Sequence, residues 1–177
     1  MIEHLRFPIG KFVFPEENMT DQQYQQYIAD IEALPQRLEL LVLPLNNTQL
    51  DTPYRPGGWT VRQVVHHLAD SHINSFCRFK FALTETEPTI KPYPEELWAE
   101  TPDAKTMPIE PSLQILKGLH QRWTVLLNSL NPTQRQRTFK HPEYTKLFTI
   151  DMATAMYAWH SNHHLAHIQN LITKMGW

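Results

Sequence analysis

Residues 159–167 read WHSNHHLAH and set four histidines, His160, His163, His164 and His167, within eight positions. On a helix turning about 100° per residue, Met152, Met156 and Trp159 share a face with His160, His163 and His167, and His164 lies at its edge. The imidazoles therefore continue an inward, apolar face. His160/His164 and His163/His167 are each one turn apart, with Cβ atoms about 6 Å from each other. Two ring nitrogens so placed can converge on one divalent ion, since Zn–N bonds are about 2.0–2.1 Å. Binding requires neutral rings, and an ordinary pKa of about 6.5 supplies them near neutral pH. Buried, charged and uncoordinated, the same rings would repel one another and lose hydration. The competing arrangement is a polar seam of core or interface histidines bonded to backbone carbonyls. Clustering at i, i+3, i+4 and i+7 favours the metal.

A catalytic ion needs a third ligand and an open position. The stretch VVHHLADSH, residues 64–72, offers His66, His67 and His72. His72 lies near the centre of its helix's apolar stripe. His67 projects roughly 140° away and heads a stripe with Ser71, Asn74 and Arg78 that suits a wet cavity. Spacing alone leaves His67 and His72 as alternatives. His4, His120 and His141 are isolated and read as surface or packing residues. Ser161 stands where H-E-x-x-H would carry its glutamate base, which argues against a zincin peptidase. The Glu-x-x-His pairs of di-iron bundles, the P-loop, the dinucleotide fingerprint and G-x-S-x-G are all absent.

Four amphipathic helices must position these groups. Thr20 with Gln23 forms a capping box ahead of a stripe running from Tyr24 through Ile28, Ile31, Leu34 and Leu38 to Leu45, with Pro35 a candidate kink. Turn-rich NNTQLDTPYRPGGW follows. A second box, Thr60 with Gln63, opens the helix of Val61, Val64, Val65, Leu68, Phe76, Phe79 and Leu83. The Pro-rich connection over residues 86–111, between the second and third long helices, is long enough for a flap or a crossover. Pro111 suits the first turn of a third helix, with Leu113, Leu116, Leu119, Trp123, Leu126, Leu127 and Leu130 inward. Residues 138–150 read as a short hairpin, and the last helix is expected over 151–174. The fold class predicted is all-α, a four-helix bundle, in a single domain over residues 1–177.

Composition narrows the function. With 177 residues, 41 % hydrophobic and 19 % charged, the chain can bury a sizeable core. A net charge of −2 and scattered basic residues give no field for nucleic acid or anionic lipid. No apolar run approaches the roughly 20 residues of a membrane span, and the N-terminus lacks a signal-peptide core. Cys77 is the single cysteine, which agrees with a reducing compartment. A cytoplasmic protein is expected.

LDTPYRPGGWTVRQVVHHLADSH, the Pro-rich segment, and YAWHSNHHLAHIQNL followed by MGW resemble the DinB/YfiT-like metalloenzymes across nearly the whole chain. The pattern is similar to that of the YfiT branch of metal-dependent hydrolases, which is linked to bacillithiol S-transfer. The resemblance implies a bundle of less usual helix arrangement, a homodimer, and one divalent ion per subunit, zinc or nickel. It puts the ligands on His67, His160 and His164, with His163 and His167 beside the site. Asp70, three residues after His67, is a candidate proton acceptor. An ion with open positions would activate a thiol for transfer to an electrophilic small molecule, or water for hydrolysis of a small substrate. A non-catalytic metal- or small-molecule-binding bundle is the remaining alternative. The arm over residues 5–14, with Trp98 and the Pro-rich segment, is expected either to close over the site or to pack in the dimer.

Overall fold

Three of the four long helices begin where a threonine hydroxyl accepts an orphan amide, as helix ends require. Thr20 and Thr60 form complete capping boxes with Gln23 and Gln63, and Thr149 accepts from the Met152 amide at 3.1 Å. The computed structural model describes residues 3–15 and 19–177. In order, its elements are α1 (Glu3–Arg6), α2 (Asp21–Val42), α3 (Asn47–Leu50), α4 (Val61–Thr84), α5 (Glu95–Trp98), α6 (Pro102–Thr106), α7 (Glu110–Asn128), α8 (Pro132–Arg135), β1 (Thr138–Lys140), β2 (Leu147–Thr149) and α9 (Ile150–Met175). Gly176, left-handed at φ 72°, ends α9, a conformation that glycine adopts without a Cβ penalty. Among the described residues no helix is long and apolar enough to cross a membrane.

Helices α2, α4, α7 and α9 form a four-helix bundle, as the periodicity predicts. Its connectivity is less regular than the sequence shows. Both α2 and α4 pack on α7 and on α9, so α2 and α4, consecutive along the chain, face each other across a diagonal. Short loops join neighbours; here long ones replace them. The connection over residues 86–111 is a tethered crossover. Within it α5 and α6 form, Gln63 donates to the Ala99 carbonyl at 2.7 Å, and Arg62 donates to the Met107 carbonyl at 2.8 Å. The hairpin pairs Phe139 with Phe148 in antiparallel register, and Thr89 bridges to Lys140.

The bundle interior has two apolar halves. One gathers Leu34, Leu38, Val64, Val65, Leu68, Leu116, Leu165 and Ile168. The other gathers Tyr24, Ile28, Ile31, Phe79, Trp123, Leu127, Phe148 and Tyr157. Between them, at the level of Pro35, His72, His120 and His160, runs a layer of imidazoles. Pro35 does not end α2, which is helical from Asp21 to Val42. Proline has no amide to give the carbonyl four residues back, so Ile31 would lose its helical partner. His120 Nδ1 takes that place at 2.6 Å.

At the far end, Arg135 ties three segments together. It bonds Asp151 at 2.8 Å, both groups nearly solvent-free, and Asp21 at 2.6 Å. Its guanidinium also lies 3.9 Å above the Tyr24 ring. Arg135→Met leaves Asp151 buried without its cation, and is expected to cost about 3 kcal/mol. Urea titration checks this, and a loss under about 1 kcal/mol would show that Gln136, 3.0 Å from Asp151, carries the carboxylate alone.

Candidate metal centre

Helix α9 supplies His160 and His164 one turn apart, and α4 supplies His67 across the interface. One ring nitrogen from each of the three lies within 4.8 Å of the other two. His67 Nε2 and His160 Nε2 are 3.2 Å apart. Two nitrogens on a tetrahedral ion with bonds of about 2.0–2.1 Å stand about 3.3 Å from each other, so the pair is already spaced for coordination. The Nδ1 atoms of His163, His164 and His167 are all buried without a hydrogen-bond partner, which favours a bound ion near α9 without choosing between neighbouring histidine groups. Burial, before any neighbouring charge, pushes His67 down to about 3 and holds His160 and His164 well below the usual imidazole range. The three rings are neutral, as metal ligands must be.

The two histidines of VVHH part company. His66 lies on the α7 side, with Nδ1 2.8 Å from the Ser112 hydroxyl and Nε2 3.3 Å from the Met107 carbonyl. It ties α4 to α7 and to the crossover. Asp70 follows His66 by four residues and shares its side of α4. Its carboxyl, raised to about 6 by burial and then by Asp103, is not among the groups lining the cavity around the three imidazoles. The structure does not bring Asp70 to them.

His163, His164 and His167 make a second close group, with one nitrogen from each again within 4.8 Å. Two of its members have other work. His167 Nε2 is 3.1 Å from the Arg6 carbonyl and its ring stacks on Tyr54 at 4.0 Å; His163 stacks on Trp159 at 4.4 Å. The arm residues thus pack along α9, with the Trp159 indole donating to the Gly10 carbonyl at 3.2 Å. Arg6 and Phe7 of this arm line the cavity.

That cavity, of about 710 Å³, is bounded by the imidazoles, Trp59, Arg6, Arg55 and Glu95. A second, of about 470 Å³, shares His160, Trp159 and Glu95 with it and contains Arg78 and Tyr93. Arg78 is buried, with its Nε unpartnered. Trp59 and Tyr54 come from the PYRPGGWT loop, which closes on itself through the Tyr54 amide and Trp59 carbonyl at 3.1 Å. Gly57 allows the reversal at φ 66°, and Trp59 lands 4.6 Å from His67.

The DinB superfamily model matches residues 30–168, a span that holds both histidine groups. The chain belongs to the DinB superfamily. This DinB chain is 48 % identical over 174 residues to YfiT of Bacillus subtilis, covering 98 % of this chain and 97 % of that one. It is 51 % identical over 178 residues to a protein of Bacillus mycoides, covering 99 % and 100 %. The name given to each relative proposes a metal-dependent hydrolase. The solved structure of Bacillus subtilis YfiT, whose title notes an unusual four-helix bundle topology, aligns at a TM-score of 0.95 and covers 98 % and 99 % of the two chains.

Sequence reasoning underrated several residues of this DinB site. His120, isolated in the sequence, is buried on α7 between Leu116 and Trp123. The spacing Leu113, Leu116, His120, Trp123, Leu127 contains the signal, a 3-4-3-4 stripe with one polar member. Trp59 and Tyr54 had no such signal, because their contacts depend on where a loop folds back.

Proposed function

We propose that the chain is a single-domain, divalent-metal-dependent enzyme whose ion is held by His67, His160 and His164. Its reaction is transfer of a low-molecular-weight thiol, of the bacillithiol type, to an electrophilic small molecule. The observation that carries this reading is the convergence of three neutral ring nitrogens from two helices on the wall of a roomy cavity. A zinc or nickel ion there would supply Lewis acidity, lowering the pKa of a thiol or water that joins it. The protein's part is to keep the imidazoles neutral, to orient them, and to hold the substrate. The cavity wall sets Arg6 and Arg55 beside Glu95, Glu96 and Glu100, so it offers a substrate both cationic and anionic partners. Trp59 and Phe7 cover apolar parts of it. Ser161, where a peptidase motif would have glutamate, donates to the Tyr157 carbonyl at 2.7 Å. It is thus no base, and thiol activation needs none.

Hydrolysis of a small substrate is the second reading, favoured by the relatives' names and by Glu95. Burial raises this carboxyl above its usual range, and it lines both cavities, so it could take a proton from water. The resemblance also supports a homodimer, and the single exposed Cys77 agrees with a cytoplasmic location.

Purified protein assayed with a panel of thiols and chlorodinitrobenzene-type electrophiles is expected to turn over, and to stop on chelation and resume on zinc or nickel. Turnover untouched by chelation would sink the transferase. Hydrolysis without thiol would favour the second reading. Bound metal with no turnover would favour a non-catalytic binding bundle.

A further inference from the structure

The imidazole layer contains a chain of hydrogen bonds that crosses all four long helices. His120 Nδ1 on α7 is 2.6 Å from the Ile31 carbonyl on α2, His72 Nδ1 on α4 is 2.8 Å from His120 Nε2, and His160 Nδ1 on α9 is 3.1 Å from His72 Nε2. We propose that His120 and His72 are positioning residues which, anchored on the Ile31 carbonyl, fix His160 as its Nδ1–H tautomer and leave its Nε2 lone pair free to coordinate. The inference rests on the metal reading above only for the use made of that lone pair.

The direction of the chain has one solution. A carbonyl oxygen only accepts, so the His120 proton must sit on Nδ1. His72 and His120 are sealed from solvent, where a charged imidazole would lose its hydration, so the rings of the chain are neutral. A neutral imidazole has one N–H and one lone pair. His120 Nε2 therefore accepts, and the proton between it and His72 belongs to His72 Nδ1. By the same step His72 Nε2 accepts from His160 Nδ1, and His160 Nε2 is left bare, facing His67 Nε2 at 3.2 Å.

The links from Ile31 through His120 to His72 are enclosed, and His160 at the end of the chain reaches the cavity wall. His72 and His120 are essentially without solvent contact. Trp123 and Tyr157 stand edge-on to the His72 ring at 5.7 and 5.2 Å. The origin of the chain is Pro35, which removes the amide that would otherwise occupy Ile31. Partners on the far nitrogen of a ligating histidine fix its tautomer and ring plane, and losing one costs about 10- to 100-fold in metal affinity. Here the far-nitrogen partner is itself an imidazole, so its own tautomer must be fixed in turn. His120 does that.

Long-range ¹H–¹⁵N spectra of the labelled, metal-free protein at neutral pH read each ring's tautomer. His120, His72 and His160 are expected as Nδ1–H, the less favoured form of a free histidine side chain. An Nε2–H signature at His72 or His160 overturns the proposal whatever the metal does. Zinc affinity, measured by competition with a chromophoric chelator, is expected to fall about 10- to 100-fold in His120→Leu. It is expected to return to within a few-fold in His120→Gln, whose Oε1 reaches the acceptor position. Equal losses in the two variants, or none in a folded His120→Leu, would overturn the positioning role. Wild-type protein that binds no zinc but shows the three Nδ1–H rings would sink the metal reading and uphold the tautomer chain.

Discussion

Protein purified with alanine at His160 or at His67 is expected to emerge without stoichiometric metal, while alanine at His163 or His167 leaves the ion in place. Two histidine groups compete for this prediction, and they share His164, so His164→Ala removes metal under either assignment. The other four variants discriminate. His67 and His160 bring Nε2 atoms to 3.2 Å, near tetrahedral spacing. His167 has committed Nε2 to the Arg6 carbonyl, and His163 lies flat on Trp159. Removing one of three ligands should cost more than the roughly 10- to 100-fold lost with a ligand's hydrogen-bond partner. Elemental analysis and zinc competition on the five variants measure it. Metal retained in His67→Ala and His160→Ala but lost in His163→Ala and His167→Ala would move the ion to the second group.

The metal-free protein should also lose stability steeply on mild acidification. In the folded chain burial holds His67 and His163 at about 3 and His120 and His167 at about 4. In the unfolded chain each titrates at about 6.5. Between those values the unfolded state binds more protons, so stability rises with pH across the window. The contribution is complete above about pH 6.5 and is lost as pH falls toward the folded values. Each group well inside the window adds about 1.4 kcal/mol per pH unit. The buried His67 and His120 dominate this loss, His163 and His167 being more open to solvent screening, and the raised Asp70 carboxyl offsets part of it. Urea titrations at pH 7, 6 and 5 test the slope, and equal midpoints would mean the rings are open to water. Zinc should shift the collapse to lower pH, because it binds only neutral imidazole.

The helices were legible because their signals are local. Thr20 with Gln23 and Thr60 with Gln63 announce helix starts within four residues, and the α9 stripe announces its buried face. What escaped was set by packing at a distance. Nothing in the spacing of α4 distinguishes His67, in the cavity wall, from His72, sealed in the core, since both are inward once α4 is enclosed by α7 and α9. His120 needs Ile31, 89 positions earlier, before its role is visible. Helix α2 runs on through Pro35, as expected of one long helix, with His120 of another helix on the Ile31 carbonyl that Pro35 leaves free. Asp70 was credited with nearness to His67 in sequence, whereas its side of α4 is that of His66 and α6. The diagonal arrangement of α2 and α4 depends on how long connections are routed, and helical periodicity says nothing of that.

The split interior has a consequence for how the helices find their alignment. Leucine-lined surfaces tolerate sliding by one turn, about 5.4 Å, because one aliphatic side chain replaces another at little loss of contact. A hydrogen-bonded seam threading α2, α7, α4 and α9 tolerates no such slip. Displacing any one helix would strand a donor or acceptor in a waterless interior, at about 1–3 kcal/mol for each orphan. The seam thereby acts as a vernier, admitting one axial setting of four otherwise interchangeable greasy rods.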